Sequence, residues 1–331
     1  MNIRGALFAC VVFLVSAIGW DGGKQRPQNI ILIGWDGAQR EHVKECLRQG
    51  KLPNLQRLIS RGALVDIEIK HTTDTKAGWV QILTGYNPEI TGVYSNSKYG
   101  PVPPGLTVFE RMEEHFGKHS IYTAAIIGKK GNIDAEGPVR VREEKIRSEK
   151  RLRKLKASAQ AVVEDGLPYY VIPAKPYYHA KNSVDVFRNG LKRDEAVGAA
   201  TLELLQTCKN RRFFFFVHFA EVDHSGHQFG ENSPEYTKAL ISADTWTGAI
   251  VRKLRELGID EKTLIYVTSD HGFDEGERRH RNAPYVFLGT NDSTVVRNGE
   301  RVDIAPTILS RFGIGLEKLL PRLNGSPLTE R

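Results

Sequence analysis

NIILIGWDG, residues 29–37, is the most informative segment of this 331-residue chain. Its first part is an unbroken apolar run rich in β-branched residues, which is typical of a strand buried on both faces. Asp36 follows this run directly, so we expect it at the carboxyl end of the strand. Comparable apolar runs recur at residues 121–127, 213–219, 264–268 and 285–288.

Helical patterns separate these runs. Asp194–Cys208 and Ser233–Leu257 carry apolar residues every three to four positions, and the second begins with Ser233-Pro234, a typical N-cap followed by Pro in the first turn. Strands that alternate with helices predict an α/β protein with a largely parallel central sheet and helices on both faces. Because we find no internal repeat and no low-complexity linker, we expect residues 25–331 to form a single domain.

The composition limits the classes of protein to consider. The chain is 40% hydrophobic and 26% charged, with 31 Gly and 15 Pro, which argues against a polytopic membrane protein and against a fibrous one. The net charge of +8 favours anionic partners. Three cysteines without a C-x-x-C pattern are too few for a disulfide scaffold, although Cys46 and Cys208 could pair in an exported protein.

The N-terminal segment resembles a targeting sequence. Residues 1–19 contain one charge, a short apolar core and small residues before Trp20, which predicts a secretory signal peptide and an exported protein. The alternative is an uncleaved anchor, but about fifteen apolar residues fall short of the roughly 20 that span a bilayer. Contact with a membrane is expected only if this segment is retained.

A basic segment interrupts the α/β pattern. Residues 140–156 contain nine basic and three acidic residues, and four tyrosines follow before Asn182. One interpretation is a basic, aromatic surface for nucleic acid or a lid over the substrate. We favour a solvated helix followed by a Pro-rich loop, because the charges are mixed and no nucleic-acid-binding motif accompanies them.

Acidic residues and histidines follow three of the predicted strands. A single carboxylate at a strand end is usually a helix cap, but several with histidines nearby indicate a metal site. Carboxylates and neutral imidazoles are suitable ligands for zinc and similar divalent ions. Six such groups can hold a pair of ions, an arrangement that stabilises both oxygens of an in-line phosphoryl displacement. The acidic residues and histidines that follow these strands are Asp36, Glu221, Asp223, His224, His227, Asp270 and His271, and His280 comes shortly afterwards.

Further motifs carry a family resemblance. In chain order, and after residues 28–37, they are ILTGYNP (82–88) with TGV (91–93), DHSGHQFG (223–230), DHG (270–272), VDIAPTIL (302–309) and NGSPL (324–328). In this order the chain resembles the alkaline phosphatase superfamily, especially its type I phosphodiesterase/nucleotide pyrophosphatase and sulfatase-like branches. The resemblance covers nearly the whole chain after residue 25. It implies an alkaline-phosphatase-like three-layer sandwich and an enzyme that hydrolyses phosphoric esters.

The resemblance also implies two sites for divalent metal ions, expected to be Zn²⁺. Asp36, Asp270 and His271 would hold the ion that activates the nucleophile. The second ion, which stabilises the leaving oxygen, would be held by Asp223, His227 and His280. We interpret His224, beside one ligand, and His71, near the nucleophile, as structural or surface residues.

The nucleophile implied by the resemblance is Thr75, ten residues before Gly85 of the TG motif. Ala77 and Trp79 replace the Pro and Arg of sulfatases, so a formylglycine cannot form here, and a threonine nucleophile is typical of phosphodiesterases. Thr75 as a helix N-cap is compatible with catalysis, because helix N-termini bind anions. The neighbouring alternatives as nucleophile are Thr72 and Thr73.

Two departures from the pattern of the family leave open whether the substrate is a phosphate monoester or a diester. Phosphodiesterases of this group usually place an Asn three residues after the nucleophile to bind a phosphoryl oxygen, and here that substrate-binding position is Gly78. Lys129, in a segment that resembles the sulfatase GKWH motif, could supply the missing charge, as could Lys76. The alternative for Lys129 is an ordinary exposed lysine.

We therefore expect an anionic small-molecule phosphoester substrate, with a diester favoured over a monoester. A phosphomonoesterase, a phosphonate or sulfate ester hydrolase, a phosphotransferase and a non-catalytic binding protein of the same fold are the alternatives.

Overall fold

A computed structural model describes residues 20–21, 24–25 and 27–330. The predicted signal peptide, residues 1–19, lies outside this part of the chain. Among the described helices, none combines the length and the apolar character needed to span a membrane.

Thirteen strands are numbered here in chain order. They are β1 Trp20–Asp21, β2 Lys24–Gln25, β3 Asn29–Trp35, β4 Ala63–Glu68, β5 Tyr122–Ile127, β6 Val139–Arg142, β7 Gln160–Glu164, β8 Leu167–Ile172, β9 Val186–Asn189, β10 Phe213–Phe219, β11 Thr263–Thr268, β12 Tyr285–Thr290 and β13 Gly299–Glu300.

Eight of them form the central sheet, in the order β13-β4-β12-β11-β3-β10-β5-β9. The pairs from β11 to β9 are all parallel, whereas β12 runs antiparallel to both β11 and β4. The prediction of a largely parallel sheet is therefore confirmed. β3, the strand of residues 29–37, lies in the interior of the sheet between β11 and β10.

The described part of the chain contains ten α-helices. They are α1 Arg40–Arg48, α2 Pro53–Ile59, α3 Thr75–Thr84, α4 Pro88–Thr91, α5 Val108–Phe116, α6 Glu149–Ser158, α7 Asp194–Cys208, α8 Glu221–Phe229, α9 Pro234–Glu256 and α10 Ile304–Arg311. The expected cap of α9 is present, since the Ser233 hydroxyl accepts a hydrogen bond from the Tyr236 N–H at 3.1 Å.

Two apolar clusters cover the two faces of the sheet. Alternate side chains of β3 point to opposite faces, as strand geometry requires. Ile30 and Leu32 pack with residues of α3, α5 and α10, whereas Ile31 and Ile33 pack with residues of α1, α2, α7 and α9. This arrangement is the expected three-layer α/β sandwich.

The basic segment differs from the expectation of a helix and a loop. α6 does form, but the residues around it build a separate three-stranded antiparallel sheet in the order β6-β8-β7. The sequence does not predict these strands because they are short and mostly exposed, and β6 alternates Val with Arg instead of forming the continuous apolar run of a buried strand.

Cys46 and Cys208 do not form the disulfide that the sequence left open. Both thiols are free and buried in the apolar cluster beneath α1 and α7, where they pack as small apolar side chains.

Candidate active site

The candidate ligands converge because three neighbouring parallel strands end at one edge of the sheet. Asp36 follows β3, and Asp270 and His271 follow β11. Asp223 and His227 lie on α8, which begins directly after β10. Since β10 and β11 both pair with β3, residues far apart in the chain meet at this edge.

Two groups of these side chains have the geometry of metal sites. Asp36, Asp223 and His271 form one group and Asp223, His227 and His280 the other, with the ligand atoms within each group lying within 4.8 Å of one another. Asp223 therefore belongs to both groups, whereas the sequence analysis assigned it to one ion. Asp270 lies beside the first group, with its Oδ2 3.5 Å from His271 Nε2.

The residues present fit divalent metal ions. Asp223 Oδ1 and Asp270 Oδ2 are buried and accept no hydrogen bond from the described residues. Buried carboxylate oxygens without such partners are unfavourable unless a cation compensates them. Together with the imidazoles of His227, His271 and His280, they make a donor set that suits zinc.

The protonation states also favour ligation. Burial and the nearby His280 lower the pKa of His271 to about 3, so its imidazole is neutral. Burial alone would raise the pKa of Asp223, but the His227 imidazole, whose Nε2 lies 3.3 Å from Asp223 Oδ1, and the charge of Lys129 hold it well below its usual range. Burial and the negative charge of Asp36 raise the pKa of Asp270. A cation between these carboxylates would remove the repulsion behind that last shift.

Thr75 is the first residue of α3 and is buried at the edge of this cluster. Its Oγ1 lies 3.3 Å from His271 Nε2. The helix cap is Asp74 rather than Thr75, and the Asp74 carboxylate accepts a hydrogen bond from the Asn96 N–H at 2.8 Å. Thr72, an alternative nucleophile, uses its hydroxyl to accept a hydrogen bond from the Asp74 N–H.

Lys129 lies within the site rather than on the open surface. It follows β5, and its Nζ lies 2.6 Å from Asp223 Oδ2, 3.3 Å from Asp36 Oδ1 and 3.4 Å from Thr75 Oγ1. Burial would lower its pKa, but the charges of Asp36 and Asp223 raise it, so the amine is charged. Lys76 instead donates to Asn96 O and Asn132 Oδ1 beside the nucleophile.

Position 78 has no room for the amide that phosphodiesterases place there. A Cβ on Gly78 would lie 2.9 Å from Asp270 Cβ and 2.9 Å from Arg301 Nη1. Gly78 therefore offers the site no side chain, and Lys129 is the cationic group that reaches Thr75.

Two residues of the site were missed from the sequence. His218 lies inside β10, and its Nε2 forms a hydrogen bond with Asp36 Oδ2, which accepts it, at 2.8 Å. Arg301 is buried and donates to the carbonyl oxygens of Asp270, Lys70 and Thr72 at 2.7, 3.0 and 2.7 Å. His218 could have been noticed as the one polar residue of the FFFFVHF strand, whereas no sequence signal points to Arg301.

The other histidines lie outside the ligand groups. His224 is exposed on α8, and His71 occupies a left-handed turn (φ 73°) in the loop before Thr75.

Comparisons with solved structures agree with the fold. An alkaline phosphatase from the Antarctic bacterium TAB5 is 15% identical, with a TM-score of 0.54 over 88% of this chain and 99% of that one. A protein of the alkaline phosphatase superfamily from Vibrio parahaemolyticus is also 15% identical, with a TM-score of 0.56 over 93% and 71% of the two chains.

Sequence relatives cover the chain to different extents. Ectonucleotide pyrophosphatase/phosphodiesterase family member 1 of Mus musculus is 25% identical over 84% of this chain and 27% of its own length. Bis(5'-adenosyl)-triphosphatase enpp4 of the same organism is 25% identical over 78% of this chain and 50% of its own. GPI ethanolamine phosphate transferase 2 of Schizosaccharomyces pombe is 31% identical over 34% and 18%. The chain thus spans half or less of the length of these relatives.

A match to a protein family covers most of the chain. Residues 30–311 match the family described as type I phosphodiesterase/nucleotide pyrophosphatase, a range that runs from β3 to the end of α10 and includes every candidate ligand. Phosphodiesterases and nucleotide pyrophosphatases are hydrolases that act on phosphoester or phosphoanhydride bonds. The chain belongs to the type I phosphodiesterase/nucleotide pyrophosphatase family.

Proposed function

We propose that this protein hydrolyses phosphoric esters with two divalent metal ions, zinc by the chemistry of their ligands, and with Thr75 as the nucleophile. The observation that carries the proposal is the position of the Thr75 hydroxyl. It lies 3.3 Å from His271 Nε2 and 3.4 Å from Lys129 Nζ, against a cluster of carboxylates and imidazoles.

The ligands divide between two ions. Asp36, Asp270 and His271 would hold one, with Asp223 in reach of it. Asp223, His227 and His280 would hold the other. When bound, such ions supply positive charge for developing oxyanions and lower the pKa of an adjacent hydroxyl.

Thr75 performs the covalent step. The Thr75 hydroxyl loses its proton to solvent, and Oγ1 forms a bond to phosphorus while the bond from phosphorus to the leaving oxygen breaks. The leaving oxygen keeps that electron pair and takes up a proton from solvent. Water then cleaves the phospho-threonine and restores the hydroxyl. Lys129, charged and next to Oγ1, donates hydrogen bonds to a non-bridging phosphoryl oxygen. His218 fixes the orientation of the Asp36 carboxylate.

Lys129 and Gly78 give a reason to test monoesters beside diesters. The site has a cationic amine, and it has no side chain at position 78, where a phosphodiesterase usually has an amide. A fully charged phosphate monoester gains more from an added cation than a diester does. A diesterase remains the leading proposal because the family is defined by phosphodiesterases and pyrophosphatases.

The first experiment compares substrates. Zinc-loaded protein is assayed on p-nitrophenyl phosphate, bis-p-nitrophenyl phosphate, a phosphonate monoester and p-nitrophenyl sulfate, each with and without chelator. We expect chelator-sensitive turnover with the diester fastest. A faster monoester would make the protein a phosphatase, and adding an alcohol acceptor tests for phosphotransfer. No turnover of any ester would contradict the proposal.

Thr75 is tested by removing its hydroxyl. Thr75→Ala should lower kcat by about a thousandfold or more while leaving the bound metal unchanged, because removal of a nucleophile abolishes the covalent route. Thr72→Ala and Thr73→Ala are the matched controls and should retain activity within about tenfold. Full activity of Thr75→Ala would exclude it as the nucleophile.

Export is the last part of the proposal. It rests on the apolar segment of residues 1–19, and N-terminal sequencing of the secreted protein would test cleavage near Trp20.

A further inference from the structure

The separate sheet and its helix form an arm, defined here as Val139–Ile172, that leaves the main body beside the active site. Its two ends are held together at the base, where the Lys175 N–H donates to Glu136 O at 2.9 Å and the Tyr177 N–H donates to Asp134 O at 3.0 Å. Asn132, shortly before the base, accepts a hydrogen bond from Lys76 Nζ. Because Lys76 follows Thr75 directly, the base of the arm adjoins the nucleophile.

The strand register shows which end of the arm is free. Val139 pairs with Ile172 near the base, and Arg142 pairs with Tyr169, so β6 runs away from the main body. The β7–β8 turn lies at that same far end. Its two residues Asp165 and Gly166 both have positive φ (52° and 73°), as a tight two-residue hairpin turn requires.

α6 begins at the far end as well. β7 starts at Gln160, which pairs with Val171 near the base, and α6 ends at Ser158, directly before β7. The first turn of α6 and the residues before it therefore lie at the free end, near the β7–β8 turn.

Unpaired positive charge collects at this free end. Lys145, Arg147, Lys150 and Arg151 are exposed, and no described carboxylate lies within salt-bridge distance of any of them. The other described basic side chains of the arm are paired with glutamates. Two of the unpaired residues lie in the first turn of α6, where the helix dipole disfavours cations. Their charge therefore does not stabilise the arm itself.

Apolar side chains are exposed at the same end. Val163 is 71% and Leu167 40% exposed, and Pro168 beside them is exposed too. A free end that carries both exposed apolar side chains and unpaired basic residues matches the requirements of a bilayer surface, where cations meet anionic headgroups and small apolar side chains enter the interface.

We propose that the free end of the arm docks on an anionic lipid surface. Nucleic acid fits less well, because base stacking needs an available aromatic ring. Tyr169, the aromatic residue nearest this end, is already covered by Arg142, whose guanidinium lies 5.4 Å from the ring centre and donates to its hydroxyl at 3.0 Å. The proposal does not depend on the reaction proposed above.

The test measures binding of the full chain to vesicles. Partition coefficients are determined for phosphatidylcholine vesicles and for vesicles with about 30% phosphatidylserine, and their ratio is compared between variants. The ratio cancels any membrane affinity that ignores lipid charge, including affinity of the N-terminal segment. Lys145→Glu/Arg147→Glu/Lys150→Glu should lower the ratio by about tenfold or more, since each basic residue near an anionic surface contributes about 1 kcal/mol.

The matched control, Lys51→Glu/Lys209→Glu/Lys238→Glu, reverses the charge of three exposed, unpaired lysines outside the arm. Its partition ratio should stay within about threefold of that of the unmodified protein. Val163→Ser/Leu167→Ser should lower binding to anionic vesicles several-fold without changing the charge. All variants should keep the thermal midpoint and the turnover of a soluble ester.

Equal losses in the two triple variants, or no loss in the arm variant, would overturn the proposal. Loss in the charge variant but none in the serine variant, together with arm-dependent binding of single-stranded RNA, would make the arm a nucleic-acid surface and also overturn it.

Discussion

Arg301 joins two loops that carry proposed active-site residues. It lies in a short 3₁₀ helix, Arg301–Asp303, and is fully buried. Its guanidinium donates to Asp270 O on the loop that follows β11. It also donates to Lys70 O and Thr72 O on the loop before Thr75. Burial lowers its pKa to about 10, so it stays charged at neutral pH. A planar guanidinium can reach both loops at once, which a single ammonium cannot.

Replacing Arg301 should therefore impair catalysis through position. We expect Arg301→Met to lower kcat by about a hundredfold, because a displacement of about 1 Å at the nucleophile has that effect, with a smaller change in KM. Three backbone carbonyls, of which that of Asp270 is buried, would lose their donor, which costs about 2–4 kcal/mol of unfolding free energy. Steady-state kinetics and denaturation measure both.

The control for this variant is Arg61→Met, which removes an exposed arginine paired with Glu261 on the surface. It should leave kcat unchanged and alter the unfolding free energy by no more than about 0.5 kcal/mol. A stability loss in Arg301→Met with unchanged kcat would reduce Arg301 to a purely structural residue.

The sequence identifies residues whose side chains act at strand ends, but not those that support them. Asp36 and Asp270 are recognisable because each follows an apolar run directly. His218 sits inside such a run, and its partner Asp36 is 182 positions away. Arg301 contacts backbone carbonyls, which carry no side-chain signature. Support of this kind depends on tertiary packing, so it emerges only from the structure.

At the scale of elements, two helices cap each other at the edge of the active site. Asp194 Oδ1, at the start of α7, accepts hydrogen bonds from the Ala220 and Glu221 N–H groups at 2.9 and 3.3 Å. Glu221 at the start of α8 accepts one from the Asp194 N–H at 3.1 Å. Neither helix has a side-chain cap of its own, so each supplies the cap of the other. α8 carries the candidate ligands Asp223 and His227, so this reciprocal capping links their helix to α7.

Asp194 should make stability depend on pH. Burial and the charge of Glu221 raise its pKa from 3.8 to about 7. A raised pKa in the folded state gives stability that is fully present below pH 3.8 and is lost as the pH rises through 7. Asp194→Asn keeps the acceptor oxygen but cannot ionise. Its unfolding free energy relative to wild type should rise by a few kcal/mol between pH 4 and pH 8.

Denaturant unfolding at several pH values measures this difference. Asp185→Asn, which changes another carboxylate that accepts a backbone N–H, from Thr123, is the control and should show no such rise. A flat difference for Asp194→Asn would mean that Asp194 is ionised in the folded protein at all these pH values.

Sequence patterns predicted the interior strands well and the peripheral ones poorly. β3, β10 and β11 are buried along nearly their whole length and read as continuous apolar runs. β4 alternates buried and half-buried positions, and β9 is half-buried throughout, so both lack such a run. The strands of the arm are mostly exposed, and the sequence predicts a helix where β6 lies and a loop where β7 and β8 lie. Burial on both faces creates the signal, and edge strands do not have it.

At the scale of the molecule, the fold concentrates negative charge at one buried point of a basic protein. The chain carries a net charge of +8, yet Asp36, Asp223 and Asp270 meet in the interior with Lys129 among them. The parallel order β11-β3-β10 forces this meeting, because the carboxyl ends of adjacent strands share an edge. Cations that bind to this carboxylate cluster therefore bind the folded protein and not the unfolded chain.

Metal loading should therefore stabilise the whole protein. A ligand present at a thousand times its Kd raises the unfolding free energy by about 4 kcal/mol, so chelation should lower Tm by about 10 °C.

His280 lies next to His271, with ring centres 3.9 Å apart, and next to His227, with ring centres 5.0 Å apart. His280→Ala should lose about one metal equivalent and about half of the metal-dependent shift in Tm, whereas His224→Ala, which removes an exposed histidine of α8, should lose neither. Metal content and melting of the same samples decide the matter, and an unchanged metal count in His280→Ala would place the sixth ligand elsewhere.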